Sequence, residues 1–299
     1  MRILLIHNPK AGERQHSKKQ LIASFAEFGH QTFYQSTKKP GWKKALDRSA
    51  DLVIAAGGDG TVRKVAWQLM DTGIPLAILP LGTANNLARS LGFTGSPDEI
   101  IAHLGDTKAR PFDIGIAQGA CGKKFFVEAV GGGLLADFVR DAEQRDDKDT
   151  SRKERMRKHV SRLRKISAQY PARHWNMTID GEDVSDRYLL WEAMNIRSAG
   201  PALNLAPRAT SDDGELDFVS LRDRERDVFM QYLEAQVAGE TPRFPLPARK
   251  FRKLRIAWRA ASMHFDGAVR PKKKDQAKRR GSIEICVRPS ALMICAPAR

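Results

Sequence analysis

Three short segments hold residue types suited to phosphate chemistry. Gly57-Gly58-Asp59-Gly60-Thr61 follows an apolar run and leads into a helix-spaced one. Its glycines let the backbone approach a ligand closely, and a helix amino end at that point favours an anion. Asp59 would repel phosphate unless magnesium lies between them, which points to a metal–nucleotide complex. The plainer alternative is a tight strand-to-helix turn with the carboxylate as a cap. Leu79-Pro-Leu-Gly-Thr-Ala-Asn-Asn86 repeats the arrangement one strand later. There Gly82 permits close approach, while Thr83 and Asn85 offer neutral hydrogen bonds to a phosphate or a base. Alone, that segment reads equally well as a helix cap. Asn8-Pro9-Lys10-Ala11-Gly12 is the third segment, with Lys10 as a phosphate contact. The patterns GxxxxGK[ST] and strand-linked GxGxxG are both absent.

Such loops need a scaffold that brings them to one edge. Ile3–Ile6, Asp51–Ala56 and Leu76–Leu79 are short apolar runs that read as buried strands. Between and after them, apolar residues recur at helical spacing: Leu21, Ile22, Phe25 and Phe28; then Val62, Val65, Ala66, Leu69 and Met70; then Ala84, Leu87, Ala88 and Leu91. Continuous apolar strands alternating with amphipathic helices imply a three-layer α/β domain with a parallel sheet. Ligands of such sheets sit at the carboxyl ends of the strands, where the three segments fall. After Pro111 the rhythm changes to strands near 112–116, 125–127, 175–179, 216–221, 254–258, 263–265 and 283–287. Their alternation and polar turns predict a mainly antiparallel β-domain, interrupted by a basic amphipathic helix (Val160, Leu163, Ile166) and a helix near Val228–Val237. The expected domains are 1–115 and 116–289, with the cleft between them as the default ligand site.

The chain has 299 residues, 41% of them hydrophobic and 29% charged, which describes a folded protein. No apolar run approaches the ~18–20 residues of a membrane-spanning helix, and the first residues are too short an apolar stretch for a secretory signal. Cys121, Cys286 and Cys295 form no CxxC site, and the seven histidines lack HExxH or HxxxH spacing. Ser198 and Ser211 show no triad partners. A cytoplasmic protein without zinc or redox chemistry is expected. The formal charge of +16 is concentrated at 151–165 and 271–280. It suits an anionic membrane face or a polyphosphate substrate better than nucleic acid, because aromatic content is 7% and no RNA-binding aromatic motif appears.

HNPKAG, GGDGT and LPLGTANNLARSLG, in this order, resemble the diacylglycerol kinase catalytic-domain family of soluble bacterial lipid kinases. The resemblance continues through Arg110–Gly115 and Ser211–Asp217, and weakly to His264–Gly267. It implies a nucleotide domain followed by a β-sandwich that takes the lipid, and a final strand near 290–299 that returns to the first domain. It also implies ATP contacts from Asn8, Gly57, Gly58, Gly60, Thr61, Gly82, Thr83 and Asn85. Asp59 would act through Mg²⁺ or its waters, with Asp113 in a polar network behind it. Asp213, with carbonyls near Thr210 and Glu215, matches a structural magnesium loop of that family; without the resemblance it reads as an Asp-Gly turn. The resemblance places the protein peripherally at the inner membrane face and leaves a homodimer open.

Two positions depart from the family pattern. Asn85-Asn86 stands where the family has Asn-Asp, which removes a carboxylate from the metal network. Asp266-Gly267-Ala268 stands where it has Asp-Gly-Glu, whose Glu is credited with deprotonating the lipid hydroxyl. That leaves Asp266 as the catalytic base. The expected activity is ATP- and Mg²⁺-dependent phosphorylation of diacylglycerol or a related lipid. The alternatives are a weakened or inactive nucleotide- or lipid-binding regulator and, less well matched by LPLGTANN, an NAD kinase.

Overall fold

The computed structural model describes residues 1–12, 16–120, 122–142, 151–259, 261–271 and 280–297. Most of the basic segment 271–280 therefore lies outside the described residues, as does Cys121. The chain forms two units, Met1–Asp113 with Pro289–Arg299, and Ile114–Arg288.

The first unit contains β1 (Arg2–His7), α1 (Lys18–Glu27), β2 (Gln31–Ser36), β3 (Leu52–Gly57), α2 (Asp59–Leu69), β4 (Pro75–Pro80), α3 (Asn86–Leu91) and α4 (Pro97–Ala102). Its strands are all parallel in the order β2–β1–β3–β4. The end of the chain adds a further parallel strand beside β4, pairing Met293 with Pro75 and Ile294 with Leu76. Every residue of β3 is buried, as continuous apolar strands in a sheet covered on both faces must be. The α1 helix starts at a capping box in which Ser17 and Gln20 satisfy each other's backbone N–H. Only β2 escapes the apolar-run criterion: Gln-Thr-Phe-Tyr-Gln-Ser is a part-exposed edge strand.

In the second unit β5 (Lys108–Gly119), β6 (Lys124–Phe126) and β7 (Ala129–Gly133) are followed by α5 (Leu134–Ala142) and α6 (Arg152–Gln169). Then come β8 (Arg173–Trp175), β9 (Met177–Ile179), β10 (Glu182–Asp183), β11 (Asp186–Met194), β12 (Leu216–Arg222) and α7 (Arg226–Ala238). The chain finishes with β13 (Arg249–Phe251), β14 (Lys253–Arg259), β15 (Met263–Phe265), β16 (Ala268–Arg270) and β17 (Arg280–Ala296). One antiparallel sheet runs β13–β12–β11–β7–β15–β16. A second contains β10–β9–β14–β17 and the β5–β6 pair. Phe126, Trp175, Trp191, Ile256 and Ile285 lie in the core they share. A second core joins β11 and β12 to the three helices through Leu135, Leu163, Leu189 and Phe229.

Two central strands, β7 and β11, were not expected from alternation. Tyr188 to Met194 of β11 are all buried, so no polar residue marks a solvent side. The three glycines of β7 have no side chains to alternate. The α6 helix packs within the second unit. Val160 and Leu163 of its apolar stripe are buried in the unit's own core, which leaves only its basic face, including Arg152, Lys153, Arg157 and Lys158, in solvent.

The β7 glycines permit an unusual row across three strands. Glu192 on β11 and His264 on β15 both pair with Gly131. A Cβ there would lie 2.2 Å from the Glu192 carboxyl group. In its absence, Glu192 Oε1 and His264 Nε2 meet at 2.8 Å, with both side chains buried. Burial pulls the imidazole pKa down, but the Glu192 charge and hydrogen bond outweigh it, and the net shift is upward from 6.5. A raised folded pKa stabilises fully below the unfolded value, and the stabilisation is lost as pH climbs through the folded one. The stability advantage of wild type over His264→Gln should therefore be greatest in mild acid and shrink as pH rises. Gly131→Ala should cost about 2–4 kcal/mol in urea unfolding, from overpacking and a displaced buried pair.

Candidate functional site

In the first unit, the three phosphate-type segments follow the carboxyl ends of β1, β3 and β4. They are joined by backbone bonds: Asn8 N–H donates to Ala56 O at 2.9 Å, and Leu81 N–H to Gly57 O at 3.0 Å. Gly58 and Gly82 lie against each other, since a Cβ on Gly82 would stand 2.3 Å from Gly58 Cα. Gly57 is equally constrained, because a Cβ there would meet the Thr61 hydroxyl at 2.6 Å. The eleven-residue α2 begins at Gly58 without a side-chain cap, so its amino end is open to an anion.

Asp59, which the resemblance has acting through Mg²⁺ or its waters, is tied to the neighbouring loop. Leu87 N–H donates to its Oδ1 at 3.2 Å. Burial of the carboxyl raises its pKa, against the lowering effect of N–H groups from Leu87, Asn86, Asp59 itself and Asn85. The carboxylate thus fastens the start of α3 to the start of α2. Asn85 likewise braces its loop, with Oδ1 accepting from Gly82 N–H and Nδ2 donating to Gly82 O. Asp113 accepts the Ser290 N–H at 2.7 Å. Lys10 is exposed, and its N–H bonds Asn8 Oδ1 at 3.3 Å. With their carboxylates held by backbone donors, Asp59 and Asp113 do not fit a resident magnesium site. Among the described residues, no group of three His, Cys, Asp or Glu side chains could hold a metal.

In the second unit, Asp266 and Gly267, at φ +46° and +75°, form the two-residue turn between β15 and β16. The Asp266 carboxylate accepts three consecutive N–H groups, from Val127, Glu128 and Ala129, at 2.8–3.1 Å. Through these bonds Asp266 positions the 127–129 bend, a structural role beside the base role that the resemblance implied. Glu128, a buried carboxyl residue on that bend, and Glu192 were missed because each stands in an apolar stretch without a motif. Asp213 is paired with Lys250, an arrangement that short-range spacing does not reveal.

The family profile described as the diacylglycerol kinase catalytic domain matches residues 2–117. That of the YegS C-terminal NAD kinase beta sandwich-like domain matches residues 138–295. "Diacylglycerol kinase" of Bacillus subtilis strain 168 is 29% identical over 252 residues, covering 80% of each chain. A Pseudomonas aeruginosa UCBPP-PA14 protein named "Probable lipid kinase YegS-like" is 30% identical over 238 residues, 76% of this chain and 73% of that one. The crystal structure of a diacylglycerol kinase from Bacillus anthracis strain Sterne has the same fold, with TM-score 0.74 and 21% identity, over 99% of this chain and 96% of that one.

The contact between Gly58 and Gly82 leaves no room for a methyl group. Gly82→Ala should push the two loops apart and weaken the binding of any nucleotide they hold. Fluorescent-nucleotide titration measures it, and circular dichroism should remain unchanged.

Proposed function

The chain belongs to the diacylglycerol kinase family of lipid kinases, and we propose that it phosphorylates the hydroxyl of diacylglycerol or a related lipid, with magnesium-bound ATP as donor, at a membrane surface. The observation that carries the donor half is the junction of Gly58 and Gly82 at the carboxyl ends of adjacent parallel strands. Such a junction presents backbone N–H groups and the amino end of α2 to polyphosphate. Gly57, Gly58, Gly60, Thr61, Gly82 and Thr83 line the nucleotide path in this reading. The Asn8 turn, with Lys10 exposed beside it, adds donors and a positive charge.

Magnesium enters as part of the nucleotide substrate, where it offsets phosphate charge. Asp59 keeps the two loops in register. During transfer the bond from the γ-phosphorus to the β–γ bridging oxygen breaks, so that ADP leaves, a bond from phosphorus to the lipid oxygen forms, and the hydroxyl proton passes to solvent water. Asp266 holds the bend that carries Glu128. Among the described residues no helix is long and apolar enough to cross a membrane. Attraction to anionic headgroups through the exposed basic face of α6 fits a surface reaction, with about 1 kcal/mol per Lys or Arg near the surface.

The test is transfer from labelled ATP to a panel of neutral lipids in anionic mixed micelles. A labelled phospholipid is expected. ATP binding without any lipid product would overturn the kinase reading in favour of a regulator. Asp59→Ala should cut turnover by roughly 10²-fold or more through loop misplacement, with the fold retained. Ala268→Glu should raise the rate, up to the ~10²–10⁴ a general base contributes.

A further inference from the structure

In the acidic loop before β12, a lysine ammonium stands where the family resemblance implies magnesium. Asp213 accepts the Glu215 N–H through Oδ1 at 3.1 Å and the Thr210 hydroxyl through Oδ2. That same Oδ2 receives Lys250 Nζ in a close ion pair. Lys250 Nζ also lies 3.8 Å from Asp217 Oδ2. Asp217 is buried, at 3% exposure, and this oxygen has no hydrogen-bond partner. An ammonium nearby is thus the charge that compensates it. The position is imposed by the fold, because Lys250 on β13 is the register partner of Asp217 on β12. Arg252, two residues on, brings its Nε to 3.5 Å from Glu215 Oε1.

Magnesium demands near-octahedral oxygen ligands at about 2.0–2.1 Å and gives up its waters reluctantly. An ion bound at Asp213 would compete for the oxygen that Lys250 holds, and would sit beside a like charge that the β12–β13 register keeps in place. The donor set therefore does not fit a divalent ion while Lys250 is charged.

We propose that Lys250 is a built-in counter-cation that replaces the divalent ion in this loop, so that the second unit needs no magnesium for its stability. One consequence rests on the proposed function: the magnesium requirement of catalysis is confined to the nucleotide.

The test uses the full chain without nucleotide, so it is independent of whether the protein phosphorylates lipid. Thermal unfolding and magnesium titration calorimetry are compared for wild type, Lys250→Met and Lys250→Arg, in EDTA and in millimolar MgCl₂. Wild type and Lys250→Arg should melt at the same temperature in both media. Lys250→Met should melt roughly 3–6 °C lower in EDTA, recover with magnesium, and bind one ion that a further Asp213→Asn change abolishes. Magnesium uptake by wild type with a rise in melting temperature that Asp213→Asn removes would overturn the proposal. So would a Lys250→Met protein as stable as wild type in EDTA and indifferent to magnesium. If Lys250→Met does not fold in either medium, the wild-type and Lys250→Arg titrations decide by the same criteria.

Discussion

The loop-bearing edge of the first unit depends on one carboxylate. Six-residue α3 is too short to stand alone, and its N-cap, Asn85, adopts a left-handed conformation and gives it no side-chain cap. Asp59 supplies the missing acceptor from the neighbouring loop, taking the N–H of Leu87 and its neighbours. Leaving those amides unpaired would cost about 1–3 kcal/mol each, more than an exposed cap contributes. Enclosure raises the carboxyl pKa, yet the same amides favour its ionised form. The contact of Gly58 with Gly82 follows, because the loop that carries Asp59 must lie directly on the loop whose helix it caps.

The second unit uses absent side chains for a comparable purpose. The three glycines that end β7 would weaken an isolated strand. Here they vacate the space into which Glu192 and Trp191 extend from the next strand. A buried Glu–His pair is weak evidence of net stabilisation, since desolvation offsets much of the attraction. Its value lies in register: a strand slip would bring a side chain to face Gly131 from the wrong side and separate the two charges.

Much of this was legible in the residues. The β1, β3 and β4 runs, the glycine loops after them and the α/β-then-β order follow from apolar runs and motif spacing, and the resemblance of the loops pointed to the family. What escaped has a common cause. β2 is a polar edge, β7 ends in three glycines, and β11 is buried from Tyr188 onward, so none shows the period that marks a strand. The roles of individual polar residues were less accessible still. Asp59, Asn85 and Asp266 are the residue types a ligand would need, and each also serves backbone N–H groups that only the folded chain brings near. Lys250 reaches Asp213 across 37 positions, a pairing that follows from strand register alone.

That pattern bears on the alanine at 268. Phosphoryl transfer passes through a loose transition state, for which positioning and charge stabilisation matter more than proton removal. A hydroxyl held in line with the donor needs its proton only late, so a site that keeps its geometry can lose a base and remain a catalyst. The geometry near Ala268 is firmly kept: a Gly-containing turn, three N–H bonds to Asp266, and the Asp266 N–H returned to Ala129 O. Asp266 and Gly267 preserve the bend, and a carboxyl residue remains on it as Glu128. A bend fixed this firmly can still orient a hydroxyl, so the absence of a carboxylate at 268 predicts a slower transfer and not a lost one.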